Sequence, residues 1–475
     1  MGILDRLPRR TGQRTTALDS PLNVGEHDAL LTGWGRTAPS LASVHAVRDA
    51  DDVVTTIAGL AGQPTTRGVL ARGLGRSYGD AAQSGGATVF DTSRLDEWTL
   101  DEATCTVTAG SGTSLDALLR GIVPRGAFVP VTPGTRYVTI GGAIAADVHG
   151  KNHHGAGSFG SHVQSLDLVN GRAEVVSLAP SGRTAEQFWA TVGGMGLTGV
   201  ITRASFSCIP ISSASMLVDT ERTDSLDDVM ARMIERDDEY RYSVAWIDTT
   251  HPSGRGVLTR GDHAPVDALP KDRRVSALAY DPQPRLEVPN VIPGGALNRW
   301  SVRAFNEFWY RRHPRSRTGE LLSIPAFFHP LDGVGDWNRM YGPRGFVQYQ
   351  FVVPDDAASI VPMALERLRA VSAPSFLTVL KRFGAANPGP LSFPQPGWTL
   401  AADLPAGVPG LARVLDDLDM AVADAGGRLY LAKDARQSPG TLRRTYPNLP
   451  AWQAVRRTMD PAGIFTSDLA RRLSL

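Results

Sequence analysis

The chain has 475 residues, 42% of them hydrophobic and 20% charged, enough apolar material for sizeable cores and too little charge for disorder. Lys+Arg number 49 against Asp+Glu 48, a net charge of +1 with no tract of like charge suited to a phosphate backbone, which excludes nucleic acid as the main partner. Two cysteines, Cys105 and Cys208, both in strand-like stretches, exclude a disulfide framework and a four-thiolate metal site.

Residues 1–30 are polar and predict an extended or loosely ordered arm. Residues 1–6 lack an apolar leader core, and Arg9-Arg10 is followed by polar residues, so no secretion signal is expected. No run approaches ~18 apolar residues, so no segment is expected to span a bilayer. The expectation is a soluble, cytoplasmic protein, with peripheral membrane contact and a periplasmic location left open. From about 40 to 210, short β-branched runs alternate with short amphipathic helices. A helix starts at Asp51-Asp52-Val53-Val54, Val69–Arg72 reads as a strand feeding a glycine turn, and 106–109 as another strand. Ser114 predicts a helix start, its hydroxyl available to an orphan backbone amide. The composition changes near Pro210. Aromatic strands follow, with helices over 225–236 and 357–370 and Pro/Gly-rich connections over 281–298 and 330–345 that read as unpacked loops. From about 426 the pattern tightens and ends in an arginine-rich helix. The expected architecture is α+β: one domain over 1–213, an inserted antiparallel-sheet domain over 214–427, and a return to the first over 428–475.

Only four of the 49 basic residues are lysine: Lys151, Lys271, Lys381 and Lys433. A lysine kept in an arginine-rich chain is a candidate for work that needs a compact charge. Gly194-Met195-Gly196-Leu197-Thr198-Gly199 matches G-x-G-x-x-G, but a β-patterned run follows where a dinucleotide fingerprint needs a helix. A nicotinamide-binding fold is therefore not expected. Three other clusters stand in a more telling order. Arg72-Gly73-Leu74-Gly75-Arg76-Ser77-Tyr78-Gly79-Asp80 follows a strand, and Gly110-Ser111-Gly112-Thr113 precedes a helix. The third is Pro133-Gly134-Thr135, continuing through Thr139-Ile140-Gly141-Gly142 to Ala146 and His149. Successive backbone amides in such turns form concave anion sites.

These ordered clusters resemble the FAD-binding domain of the vanillyl-alcohol-oxidase type flavoproteins, over most of 30–210. The resemblance implies that Arg72, Gly73, Gly75, Arg76, Ser77, Tyr78, Gly79 and Asp80 cradle the diphosphate of FAD. It places Gly134, Thr139, Ile140, Gly141, Gly142, Ala146 and His149 along the ribityl chain and ring, with Gly193 to Ile201 at the adenine end. Many members attach flavin through a histidine of the first loop. Here Gly75-Arg76-Ser77-Tyr78-Gly79-Asp80 contains none, which implies non-covalent FAD.

Nearly the whole chain is further similar to the flavoprotein oxidase subunits of decaprenylphosphoryl-β-D-ribose 2′-epimerases. The likeness rests on Trp34-Gly35-Arg36, His149-Gly150-Lys151-Asn152-His153-His154, Phe346-Val347-Gln348-Tyr349-Gln350, Gly397-Trp398 and Tyr430-Leu431-Ala432-Lys433. It implies oxidation of the ribose 2′-hydroxyl of a polyprenyl-phosphate sugar for cell-wall arabinan. A separate NAD-dependent reductase subunit is the implied partner. Lys433, His149 and Tyr78 are the implied catalytic residues, with Lys433 the cation beside the ring and Tyr430 a flavin contact. Gln348 and Gln350, on one face of a strand, are the implied sugar contacts, and Lys381 the phosphate contact. Trp246, Phe328, Thr399 and Ala401 complete the substrate side. Two departures stand out. Thr399-Leu400-Ala401 replaces the Asn-x-Cys that many relatives carry, and Phe328 stands where tyrosine is common. His153 and His154, on an expected strand, would point apart, so no metal is expected. Two rival readings remain. One is an aldonolactone or alditol oxidase using oxygen, whose members tend to carry Glu-x-Arg at Gln348-x-Gln350. The other is a non-catalytic flavin-binding partner subunit.

Overall fold

The computed structural model describes residues 27–60, 67–283, 286–289, 295 and 297–475. The leader reading, most of the expected arm and part of 281–298 lie outside these residues. His27–Leu31 corrects the rest of the arm: it is a strand, paired antiparallel with Ser40–Ala46. Thr88–Asp91 and Val69–Arg72 extend this into a four-stranded sheet through parallel pairs. The helix Ala50–Leu60 buries Val53 and Ile57 beside Val69, Phe90 and Phe465. Phe465 comes from the tail, which is stitched to the sheet by Val69 N donating to Ile464 O (2.8 Å) and Thr466 N to Val69 O (3.0 Å).

A second sheet orders Trp98–Asp101, Thr106–Gly110, Val200–Ser207, Val163–Val169 and Val175–Leu178, all antiparallel. Val200–Ser207 emerges directly from Gly199, so the G-x-G-x-x-G run feeds a strand. Beside this sheet, the helix Leu115–Ile122 starts where Ser114 Oγ accepts from Ala117 N (3.0 Å). It buries Leu115, Leu118, Leu119 and Ile122, the i, i+3, i+4, i+7 stripe.

The third sheet has eight strands, in the order Ser316–Ser323, Ser215–Thr223, Gly256–His263, Tyr242–Ile247, Thr378–Phe383, Gly397–Pro405, Phe346–Val353 and Arg428–Leu429. Strand alternation divides its work. Tyr349, Phe351 and Val353 share a core with residues of the helices Leu226–Arg236, Ile360–Ala370 and Leu411–Asp424, while Gln348 and Gln350 take the opposite face.

Four expectations change. Residues 330–345 are packed: Trp337, Asn338 and Tyr341 are buried, with Trp337 edge-on to Trp34 (5.9 Å) and Tyr341 stacked on Phe346 (4.2 Å). Their aromatic side chains supply the core that their glycine content obscures. His153 and His154 sit in a helical turn, His153–Ala156, and reach different partners, Gly384 N and Tyr240 O. Cys105 lies in a turn at φ 50°, and Cys208 lies between strands. The helices Arg299–Arg312 and Leu411–Asp424 were not expected; the first buries only Val302, Asn306 and Tyr310, too few for a clear apolar period. Among the described residues, no helix is long and apolar enough to cross a membrane.

Candidate active site

One cavity of about 1330 Å³ takes its walls from both the glycine-rich half and the eight-stranded sheet. That exceeds the roughly 300–1000 Å³ of ordinary small-molecule sites and leaves room for two ligands. Arg72, Gly73, Gly75, Arg76, Ser77 and Tyr78 line it. Gly75 has φ +60°, and a Cβ there would also strike the Arg72 guanidinium. Arg72 braces the turn by donating to Ala82 O (2.5 Å) and Thr32 O (3.0 Å). Gly79 and Asp80 turn away from the cavity. Gly79 lies against the Asp434 carbonyl, and Asp80 pairs with Arg472 (2.7 Å).

Gly134, Thr139, Gly141, Gly142, Ala146, His149 and Ile201 continue the same wall, whereas Ile140 packs into the core. Thr139 caps the short helix Ile140–Ala145, its Oγ1 accepting from Gly142 N (3.2 Å). Ser111 Oγ, also in the wall, is buried without a protein partner, and a Cβ at Gly134 would meet no protein atom. Both features fit a ligand with polar groups laid along the glycine wall.

Three of the four lysines converge on this cavity: Lys151, Lys381 and Lys433, while Lys271 is exposed. Burial takes each ammonium out of water and pushes it down to about 7. At Lys433 the nearby Asp403 carboxylate acts in the opposite sense. Lys433 Nζ lies 3.6 Å from the Tyr78 ring centroid, and Tyr78 N donates to Ala432 O (2.9 Å), so the two loops hold each other. Burial, with Asp403 adding to it, pushes the Tyr78 hydroxyl well above 10. Tyr430 donates to Ala146 O (2.8 Å) and stacks on Phe393 (4.6 Å).

Lys381 Nζ donates to His149 Nδ1 (3.1 Å). Nε2 then carries the ring hydrogen and donates it to the Gln350 amide 2.9 Å away, whose oxygen end turns to face the ring. Burial, with Lys381 alongside, holds His149 well below 6.5 and hence neutral. The His149 ring is enclosed by Phe383 (4.7 Å) and Tyr430 (5.5 Å).

Strand register builds the opposite wall. Val257, Trp246, Val379, Ala401 and Gln350 are successive cross-strand partners over five strands, and all five line the cavity. Thr399, opposite Lys381, and Asp403, opposite Gln348, share that face one layer deeper. The Gln350 amide meets Thr399 Oγ1 (3.2 Å), and the Gln348 amide donates to Asp403. Phe328 joins the wall, packed on Phe128 (5.1 Å) and Tyr242 (4.8 Å). Sequence reasoning passed over Asp403, whose signal is an acid inside the apolar run Trp398–Leu404. Burial pushes this carboxyl up to about 7, against the pull of Gln348 and Lys433. It also left Lys151 unassigned, although lysine scarcity had marked it.

Residues 42–179 match the family described as FAD binding domain, and 408–473 that described as D-arabinono-1,4-lactone oxidase. With the glycine-lined wall, the first match defines the class: an FAD-dependent oxidoreductase of the vanillyl-alcohol-oxidase type. The chain is 44% identical over 450 residues to decaprenylphosphoryl-beta-D-ribose oxidase of Mycolicibacterium smegmatis, covering 94% of this chain and 97% of that one. It is 38% identical to an uncharacterized protein in the mprA 5′ region of Streptomyces coelicolor, covering 76% and 100%. It is 25% identical to alditol oxidase of a Streptomyces species, covering 93% and 98%. The chain belongs to the decaprenylphosphoryl-β-D-ribose oxidase family.

Proposed function

We propose that this enzyme oxidises the 2′-hydroxyl of decaprenylphosphoryl-β-D-ribose to the 2′-keto sugar. This is the first half of an epimerisation to the arabinose form, which a separate NAD-dependent reductase subunit completes for cell-wall arabinan synthesis. The observation that carries the reading is the convergence of Lys151, Lys381 and Lys433 with Gln348, Gln350 and His149 on one cavity. Amide side chains suit sugar hydroxyls, and buried ammonium groups suit a phosphate. In this reading 1–213 and 428–475 hold the cofactor and 214–427 the substrate. The strands from Ser215 to Pro405 support that partition, with Arg428–Leu429 at the join.

Bound FAD supplies the two-electron oxidant. Arg72, Gly73, Gly75, Arg76, Ser77 and Tyr78 hold its diphosphate end, with Asp80, Gly79 and Ile140 as supports behind the wall. Lys433, pushed down to about 7 by burial, can take the hydroxyl proton at Nζ. The ammonium so formed then neutralises the negative charge left beside it by oxidation. Lys381 keeps His149 in one tautomer and meets the phosphate, whose charge raises the lysine back toward its ordinary range. Trp246, Phe328 and Ala401 close the apolar side, and Thr399 orients Gln350 from behind.

Anaerobic reduction of the FAD-loaded protein tests this. Lipid-linked ribose should bleach the flavin while free ribose and aldonolactones do not. The match of 408–473 to D-arabinono-1,4-lactone oxidase favours the second reading, a soluble sugar-lactone oxidase. Rapid bleaching by a lactone, with none by lipid-linked ribose, would establish it instead.

A further inference from the structure

The charge of this chain is nearly balanced overall but locally uneven. Residues 299–317 hold six arginines and one glutamate, a local net of +5 with His313 neutral, against +1 for the whole sequence. Most of this stretch is the helix Arg299–Arg312, started by an Asn298 capping box. Its buried stripe is narrow. Outside that stripe Trp300 is 63% exposed and Phe308 59%, large apolar side chains left bare beside guanidinium groups. Arg299 lies over the Trp300 ring at 4.5 Å. Glu307 is engaged by Arg255 and Arg311, and among the described residues no carboxylate pairs with Arg299, Arg303, Arg312 or Arg315.

The same helix forms the rim of the cavity. Phe305 and Trp309, stacked at 5.9 Å, line it, as does Leu286. Phe305 and Leu286 are also exposed to solvent. At 100° per residue, Phe308, Phe305 and Trp309 fall on one flank and Trp300 lies about 80° beyond Phe308, so the outer apolar surface runs on from the cavity wall around one helix.

We propose that residues 299–317 dock this protein on an anionic lipid bilayer, with the mouth of the cavity against the membrane surface. Arginine interleaved with exposed tryptophan and phenylalanine on one helix is the composition of interfacial amphipathic helices. Indole rings settle at headgroup depth, and each arginine near an anionic surface adds attraction. A protein partner would have to answer four unpaired guanidinium groups with carboxylates in fixed places. Lipid phosphates answer them in any arrangement. That the membrane also delivers a polyprenyl-phosphate sugar rests on the function proposed above; the docking does not.

The test sediments the FAD-loaded, full-length protein with vesicles of phosphatidylcholine, alone or mixed with phosphatidylglycerol. Binding is expected to the anionic vesicles only, and to weaken between ~0.1 M and ~1 M salt. Trp300→Glu combined with Phe308→Glu should weaken it about tenfold or more. Arg299→Gln, Arg303→Gln and Arg312→Gln together should weaken it roughly 100-fold, at about fivefold per arginine. Both variants should keep their FAD and oxidise a short-chain, water-soluble polyprenyl-phosphate ribose like the parent. Absent binding, equal binding to both vesicle types, or variants that bind like the parent would overturn the proposal. So would a protein partner that these substitutions displace when vesicles are not bound. A parent that docks yet fails to oxidise the short-chain sugar overturns the functional reading and leaves the docking standing.

Discussion

Arg472 grips Asp80 with two hydrogen bonds, Nε to Oδ2 at 2.9 Å and Nη2 to Oδ1 at 2.7 Å. The same Nη2 lies 3.0 Å from Asp434, next to Lys433. One guanidinium near the end of the chain thus fastens the first glycine loop to the Lys433 loop. This places Asp80 as a support behind the cavity wall.

Arg472→Ala should therefore loosen FAD and destabilise the fold together. Hydrogen bonds to charged groups are worth roughly 1.5–3 kcal/mol, and these side chains are mostly buried, so a loss of about 2 kcal/mol is expected. Arg472→Lys should recover little, because one ammonium cannot reproduce the forked contact. Denaturant midpoints and FAD retention on dilution check this. A variant that keeps both would show that the clamp is dispensable.

The flavin should be bound without a covalent link. Gly75-Arg76-Ser77-Tyr78-Gly79-Asp80 has no histidine, and His149 on the wall is engaged at both ring nitrogens, by Lys381 and Gln350. Acid precipitation should release the yellow colour into the supernatant. Colour retained by the pellet would refute the claim.

What the sequence could tell followed from how local each feature is. The glycine loops and the Ser114 cap are read within a few residues, and strand parity placed Gln348 and Gln350 on one face. Asp403 gains its role from register with Gln348 on a partner strand, a pairing that composition cannot show. The packing of 330–345 depends on Trp34, which is far away in the chain. The helix Arg299–Arg312 escaped because whole-chain neutrality averages its arginines away.

Lys433→Ala should leave FAD bound and slow its reduction by substrate. Its ammonium acts on charge that exists only as oxidation proceeds, so its loss should cost on the order of 2.7–4 kcal/mol, or roughly 100–1000-fold. Single-turnover reduction measures this step directly. A rate within about threefold of the parent would remove Lys433 from the chemistry.

Stability of the cofactor-free protein should rise with pH in the alkaline range. Lys151 titrates at about 7 when folded and at 10.5 in its ordinary state, so between these values the unfolded chain binds more protons. The penalty is complete below about 7 and gone above about 10.5. Lys151→Met removes its share, making the slope shallower while Lys381 and Lys433 keep theirs, and raises stability at pH 7, less the bond that Lys151 donates to Phe327 O. Urea midpoints across this range decide the matter. An unchanged slope would mean that Lys151 stays charged in the fold.

The last prediction concerns Ala401, which lies in the cavity wall between Val379 and Gln350, at the position where the family resemblance implies a cysteine. Nitroaromatic inhibitors that capture that cysteine should form no stable adduct here, because the thiolate is the reacting species. Neither native thiol can substitute. Burial pushes Cys208 up to about 12, with Cys105 adding to it, and also raises Cys105. Neither residue lines the cavity. Ala401→Cys should restore labelling, since its Cβ already faces the space that the inhibitor would fill. Intact mass spectrometry after turnover with inhibitor reads the outcome. A covalent mass increase on the parent, mapped to Cys105 or Cys208, would show that the reactive site lies elsewhere in the fold.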